Sequence, residues 1–386
     1  MADNKNFNII IVGDLLPAKE NAVDFESANV KALFDDRLCG LFADADFSIA
    51  NLEGPLTDCS QSQEKIGPVL KARKATANGI KALGITAVAL ANNHVTDYGQ
   101  QGMQDTLDTL DSYGIAHVGA GLNISCINTH ISMQYGGGNI CIYNVSETFF
   151  NVPTATSAGV NLYDEYCVCN EIRELKAHHD YLIVIYHGGA EYFPYPTPQT
   201  RRRFHRMADC GADFITAQHT HCIGCEEYYN GAYLLYGQGN FSFARQHSKP
   251  CTKEGLVIEI RLSSEVEIIK HHVHQESDRS IALSDNWDDN AFKKRGTKIE
   301  DEAFIQSEFA ALKPDNIVDR YLLAYKGKAF FAAKFRKLIP KRQFRKIIEA
   351  YTKEQIMRNQ FTLSSDRASE DIYYMWKNIS NKNKIN

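Results

Sequence analysis

Residues 8–14 read Asn-Ile-Ile-Ile-Val-Gly-Asp. A short apolar run of β-branched residues suits a buried strand, and the Gly-Asp pair then delivers a carboxylate into the following loop. The same grammar repeats downstream. Residues 47–50 run into Asn51-Leu52-Glu53, 87–91 into Asn92-Asn93-His94, 181–186 into His187-Gly188-Gly189, and 214–217 into Gln218-His219-Thr220-His221. Helical periodicity fills the intervals at 30–43, 75–83, 102–113 and 199–210, with Gly84, Gly114 and Gly211 placed to end three of them. Strands alternating with helices predict an α/β core. The middle of the chain changes texture. Residues 130–144 read as two strands around a Gly-rich turn, 228–236 as a hairpin over Asn230-Gly231, and 256–262 and 267–274 as further strands. Beyond about Ser277 the strand pattern gives way to polar linker and helical periodicity broken at Pro314 and Pro340. The expected organisation is therefore a domain at 1–276 and a mainly helical extension at 277–386.

The chain has 386 residues, 44% of them apolar and 23% charged, which excludes a disordered or fibrous class. Its net charge of −5 argues against a nucleic-acid partner. That average hides an asymmetry. From Arg320 to Arg358 there are twelve Lys and Arg against two acids, a local +10, so the remainder carries −15. Interleaved basic and apolar residues at 320–358 are expected either to pack as a helix with its charges outward or to contact an anionic membrane or assembly partner peripherally. The first residues show no charged n-region followed by a long apolar run, and no stretch is long and apolar enough for a membrane helix, so a cytoplasmic protein, peripherally membrane-associated at most, is expected. In that compartment the ten cysteines read as reduced thiols.

Five apolar segments thus end in metal-ligand types: Asp14, Glu53, Asn93-His94, His187, and His219 with His221. Two carboxylates, an amide oxygen and several imidazoles suit Mn, Fe or Zn better than calcium or an iron–sulfur cluster. Six ligands are enough for two ions ~3.5–4 Å apart that share a carboxylate, an arrangement used to activate water against phosphorus.

The segments Gly13-Asp14, Asn51-Leu52-Glu53-Gly54-Pro55, residues 91–99 (Ala-Asn-Asn-His-Val-Thr-Asp-Tyr-Gly), His187-Gly188-Gly189-Ala190-Glu191-Tyr192, Gly211-Ala212-Asp213, Gln218-His219-Thr220-His221 and residues 236–241 (Tyr-Gly-Gln-Gly-Asn-Phe) resemble the CapA/PgsA family of bacterial capsule and poly-γ-glutamate synthesis proteins. That family belongs to the calcineurin-like metallophosphoesterases. The resemblance implies a four-layer αββα sandwich with Asp14 and His221 on one metal, Glu53 bridging, and Asn93, His187 and His219 on the second. His94 would be the general acid or transition-state donor. One position departs from the wider superfamily: Leu16 stands where its first motif carries a histidine, which leaves the first metal short of a ligand. Glu191 and Glu226 are nearby acids that either compensate or, the simpler expectation for each, only line the cleft. Glu191, Tyr192 and Arg201, in and after the His187 loop, are candidates for substrate contact.

Three functions follow as expectations. The first is a metal-dependent hydrolase in the biosynthesis of a capsular or other cell-surface polymer, with metal-activated water attacking a phosphoester or related bond of the polymer or its phosphorylated precursor. The second is a metal- and ATP-dependent amide-bond-forming enzyme, any ATP binding through the metals because no P-loop is present. The third is a non-catalytic assembly component of capsule machinery.

Overall fold

The computed structural model describes residues 7–312 apart from 66, 148–150, 244–248, 264 and 276–279, together with Pro340 and Gln343. The early strands are β1 Phe7–Leu16, β2 Phe47–Leu52, β3 Ala87–Ala89, β4 Ala116–Val118, β5 Ala120–Gly121, β6 His130–Tyr135, β7 Gly138–Ser146 and β8 Gly159–Val160. The later ones are β9 Tyr181–His187, β10 Phe214–Gln218, β11 Glu226–Tyr229, β12 Ala232–Leu235, β13 Asn240–Phe243, β14 Glu254–Leu262, β15 Val266–Gln275 and β16 Ile281–Leu283. Helices are α1 Ala22–Glu26, α2 Val30–Leu33, α3 Asp36–Ala43, α4 Ala77–Leu83, α5 Gly99–Ser112, α6 Glu165–Lys176, α7 Pro198–Asp209, α8 Asp289–Lys298 and α9 Glu302–Ala311.

Strand alternation explains the layering. Within β1, Ile9 and Ile11 face one way and join Ile140, Ile142, Ile183, Ile185 and Phe214 in a core between two sheets. Ile10 and Val12 face the other way, onto Phe25, Leu38, Phe42, Ile80 and Leu110 of the early helices. Tyr143, Val184 and Ile215 in turn face Val168, Ile172, Phe204 and Met207 of α6 and α7. Helices, sheet, sheet and helices therefore stack as four layers, the α/β sandwich that the motif resemblance implies. One sheet runs β16-β15-β14-β1-β2-β3-β4, with β13 also on β1, and the other β11-β12-β10-β9-β7-β6.

At the centre of the first sheet β1 changes partner. Its first half pairs antiparallel with β14, through Phe7 to Ile11, and its end pairs parallel with β13, Asp14 opposite Asn240. The register slips beside Asp14 on both sides of the strand. Gly13 makes this switch sterically feasible, because a Cβ there would lie 2.0 Å from the Gly239 carbonyl oxygen.

The structure modifies two expectations. The helix expected at 30–43 is two helices, because Asp35 caps α3 by accepting from Leu38 N at 2.9 Å, and extended Phe34 bridges to Ile281. Beyond the expected boundary at 276, the described residues up to 305 belong to the same compact unit as the strands before them. The reason is that β16 extends the first sheet from β15, and Phe292 of α8 is buried in the inter-sheet core. The basic stretch 320–358 lies outside the described residues.

A Gly13→Ala substitution is expected to cost about 3 kcal/mol or more of stability, since the atom it would strike is backbone that cannot turn aside. Urea denaturation of the variant against the parent chain measures it, and an unchanged midpoint would refute the steric account.

Candidate metal centre

All the ligand-type side chains expected from the sequence converge at the C-terminal ends of strands in the two facing sheets. Asp14 lies in β1, Glu53 follows β2, Asn93 and His94 follow β3, His187 ends β9, and His219 and His221 follow β10. The ligand atoms of Asp14, Glu53 and His221 lie within 4.8 Å of one another, as do those of Glu53, His187 and His219. Glu53 belongs to both groups, as a bridging carboxylate would. Asn93 Oδ1 lies 2.9 Å from His187 Nε2, and His94 Nε2 lies 4.0 Å from Glu53 Oε1.

Electrostatics inside this cluster are unbalanced without a cation. Asp14 is fully buried, which disfavours its charge, yet the hydrogen bond and charge of His221 hold it well below the usual carboxylate range. Burial likewise opposes the His221 charge, and the Glu53 and Asp14 carboxylates overcome it and push the imidazole up to about 10. Glu53 gains too little relief from the His221 charge to follow. Burial, then the negative charge of Asp14, drive its pKa well above normal, and neither carboxylate oxygen has a hydrogen-bond partner. His187 and His219 are pushed the other way by burial, which outweighs the carboxylates near them, so both are neutral and able to ligate. A buried carboxylate with two orphaned oxygens, grouped with the neutral imidazoles of His187 and His219, is the donor arrangement a divalent cation satisfies. The residues present therefore fit such an ion.

A layer of amides behind the ligands fixes them. Asn51 Nδ2 donates to Asp14 Oδ1 at 2.8 Å and lies 3.3 Å from His187 Nδ1. His221 Nδ1 donates to Asn240 Oδ1 at 2.9 Å, which turns Nε2 toward Glu53 Oε1 at 3.8 Å. Asn92 Oδ1 accepts from the backbone of His94 and Val95 and shapes the turn that presents His94. His94 Nδ1 donates to Asp97 Oδ2 at 2.7 Å, so Nε2 is the nitrogen offered to the centre. The backbone is strained here as well, with His219 at φ 87 and His221 at φ 52, a region that non-glycine residues seldom occupy. Asn51, Asn240 and Asp97 were visible in the sequence only as members of the motifs. Their positioning roles depend on cross-strand register, although the three-residue spacing from His94 to Asp97 is a local signal.

Residues 8–245 match the family described as bacterial capsule synthesis protein PGA_cap. The chain belongs to this family. It is 31% identical over 229 residues to the PGA biosynthesis protein CapA of Bacillus subtilis, covering 58% of this chain and 59% of that protein. It is 24% identical over 269 residues to the capsule biosynthesis protein CapA of Bacillus anthracis, covering 67% and 65%. The chain thus spans less than two thirds of the length of either relative. A phosphatase from Mycoplasma pneumoniae is similar in structure at TM-score 0.43 and 14% identity, over 70% of this chain and 95% of that one. An NAD nucleotidase from Haemophilus influenzae has TM-score 0.43 and 12% identity, over 80% and 59%.

Not every candidate joins the centre. Glu191 does, its carboxylate grouping with His219 and His221. Tyr192 lies at its edge, stacked on His221 with centroids 5.9 Å apart, and Lys249 Nζ sits 4.2 Å above the Tyr192 ring. Arg201 departs from expectation: its guanidinium forms a two-pronged pair with Glu227 at 2.6 and 3.2 Å, so it is structural. Glu226 pairs with Lys270 at 2.5 Å and hydrogen-bonds Tyr233, and so does not compensate for Leu16. Among the described residues no helix is long and apolar enough to cross a membrane.

Glu227 also accepts from Tyr236 and lies 3.0 Å from His205 Nε2. Burial opposes its charge, but the bonds from His205, Arg201 and Tyr236 outweigh burial and lower its pKa from 4.5 to about 2. A depressed carboxylate stabilises the fold above its unfolded value and loses that contribution as pH falls toward its folded value. Glu227→Gln is therefore expected to be less stable than the parent at pH 7, with the difference shrinking between pH 4.5 and about 2. Denaturation midpoints across that window test the sign, and a constant difference would contradict it.

Proposed function

We propose that this chain is a metal-dependent hydrolase acting on a phosphoester or related bond in a precursor of a capsular or other cell-surface polymer. The observation that carries the reading is Glu53, a fully buried carboxylate with both oxygens unpartnered, shared by two groups of ligand atoms. Asp14, Glu53 and His221 would hold one divalent ion, and Glu53, Asn93, His187 and His219 another. Such ions, when bound, supply Lewis acidity that polarises a phosphoryl oxygen and lowers the pKa of water.

The protein's own groups do the rest. His94 presents Nε2 to the centre because Asp97 holds Nδ1 at 2.7 Å, and Leu70 N anchors Asp97 Oδ2 from behind at 2.7 Å. That nitrogen is placed to donate a hydrogen bond or a proton to a leaving oxygen. Tyr192 and Lys249 at the edge offer a ring and a cation, a surface suited to an anionic ligand. Names of the relatives, PGA biosynthesis and capsule biosynthesis proteins, support assigning the substrate to polymer synthesis. One observation favours a second reading. Leu16 is buried and offers no donor beside Asp14, as a non-catalytic assembly component would tolerate.

With Mn²⁺ supplied, a panel of phosphoesters is expected to show phosphate release without ATP, lost by a factor of about 10² or more in Asp14→Ala and in His94→Ala. Retained turnover in either variant would remove the mechanism. Product formed only with ATP and an amino-acid or amino-sugar acceptor would replace hydrolysis by amide-bond formation. Failure of the intact chain to bind Mn, Fe or Zn would leave the assembly role.

Asp97→Asn separates positioning from ligation. It is expected to keep the bound metal while kcat falls about 10- to 100-fold, because the imidazole loses the carboxylate that orients it. Metal analysis alongside steady-state kinetics checks this, and loss of metal in the variant would contradict the assigned role.

A further inference from the structure

We propose that Glu191 is a ligand of the metal centre, supplied from the loop after β9 to the His219 and His221 side of the site. This rests on the metal-centre reading above and extends it to a residue outside the two inner groups. The group of Asp14, Glu53 and His221 offers three protein donors, fewer than the roughly six positions that Mn²⁺ prefers to fill. Leu16, two residues on from Asp14 in β1, adds none. It is an aliphatic side chain 2% exposed, and its Cδ1 lies 3.2 Å from where a Cβ on Gly54 would be.

Glu191 approaches from a different element. Its carboxylate oxygen and ring nitrogens of His219 and His221 lie within 4.8 Å of one another. His219 belongs also to one inner group and His221 to the other, so the three sets form a closed ring of shared ligands. His219 Nδ1 is buried without a hydrogen-bond partner, a donor atom still to be used. One carboxylate and two imidazoles are a set that zinc accepts as readily as Mn or Fe.

An exposed glutamate ordinarily samples many rotamers, and this one hangs from a loop pinned on both flanks. Gly189 N donates to Glu147 Oε1 at 3.0 Å, and Tyr192 N donates to Thr220 O at 2.6 Å. Glu147 is itself held by Tyr186 OH at 3.1 Å and by Arg203 at 3.7 Å. Gly188 has no room for a side chain, since a Cβ would meet the Glu147 carboxyl carbon at 2.5 Å. Tyr192 sits at φ 61, a strained conformation that lays its ring against His221. Strain spent on the residue beside Glu191 fixes where its carboxylate can reach.

Mn²⁺ titration of the full chain by calorimetry and by electron paramagnetic resonance tests the assignment without any assay of activity. The parent chain is expected to bind two ions, and Glu191→Gln to bind one of them at least tenfold more weakly with an altered Mn²⁺ spectrum. Glu174→Gln, an exposed acid on α6, controls for charge and is expected to leave both unchanged. If Glu191→Gln binds both ions as the parent does, the assignment is wrong while the metal centre stands. If the parent binds no Mn²⁺, Fe²⁺ or Zn²⁺, the metal-centre reading falls and this one with it. Anomalous scattering from Mn-loaded crystals gives an independent check, in which an ion beyond bonding distance of the Glu191 carboxylate would overturn the proposal.

Discussion

The change of partner by β1 at Asp14 is the constraint on which the centre depends. Because β14 leaves and β13 arrives there, Asp14 acquires an asparagine on each side in register, Asn51 from β2 and Asn240 from β13. Asn51 donates to Asp14 itself, and Asn240 holds His221. A single strand switch, made possible by the absence of a side chain at Gly13, therefore places a carboxylate, its supporting amide and the orienting partner of an imidazole from the opposite sheet. A one-residue slip would turn Asp14 to the other face and dissolve all three relations together.

Charge then decides what the assembled site requires. Taking a carboxylate out of water costs several kcal/mol unless a partner compensates. Asp14 finds that partner in protonated His221 at 3.2 Å, whereas Glu53 has three imidazole nitrogens at 3.8 to 4.0 Å and none at hydrogen-bonding distance. Two of those imidazoles belong to residues that the site holds in different charge states, His187 neutral and His221 positive. Such an arrangement is poorly satisfied as an isolated protein site and well satisfied around cations, which accept from carboxylate and neutral imidazole alike.

The fold was legible where burial is simple. Runs such as Ile9-Ile10-Ile11-Val12 are apolar on both faces because β1 is covered by a sheet on one side and helices on the other, so the ligand-bearing strands could be read in order. The elements the sequence concealed are those whose pattern is local in meaning but tertiary in cause. Residues 240–243 carry a strand only because β14 leaves the edge of β1 past Ile11, and 281–283 pair only because β15 is already in place. The helix at 165–176, with cysteines and charges along it, lacks a long apolar stripe and escaped notice, although Asp164 caps it by accepting from Cys167 N at 2.9 Å. Candidate ligands were legible because strand ends announce them. Arg201 misled because a basic triplet says nothing of the acid opposite, which β11 supplies as Glu227.

The supporting layer is built from neutral groups. Asn51, Asn92, Asn144, Asn240, Gln218 and Gln238 are all buried, and their amides bond to ligands, to one another or to strand backbone without adding charge. Of the acids grouped as ligands, only Asp14 and Glu53 are buried, and Glu191 is the exposed third. Two divalent ions would bring four positive charges against three carboxylates at most, and the neutral imidazoles and amides change nothing in that balance. The loaded centre would keep an excess positive charge inside a region walled by apolar strands, where low dielectric magnifies it. A site loaded in this way would favour an anion, and the acidic character of the rest of the body would not offset a charge held at ligand distance.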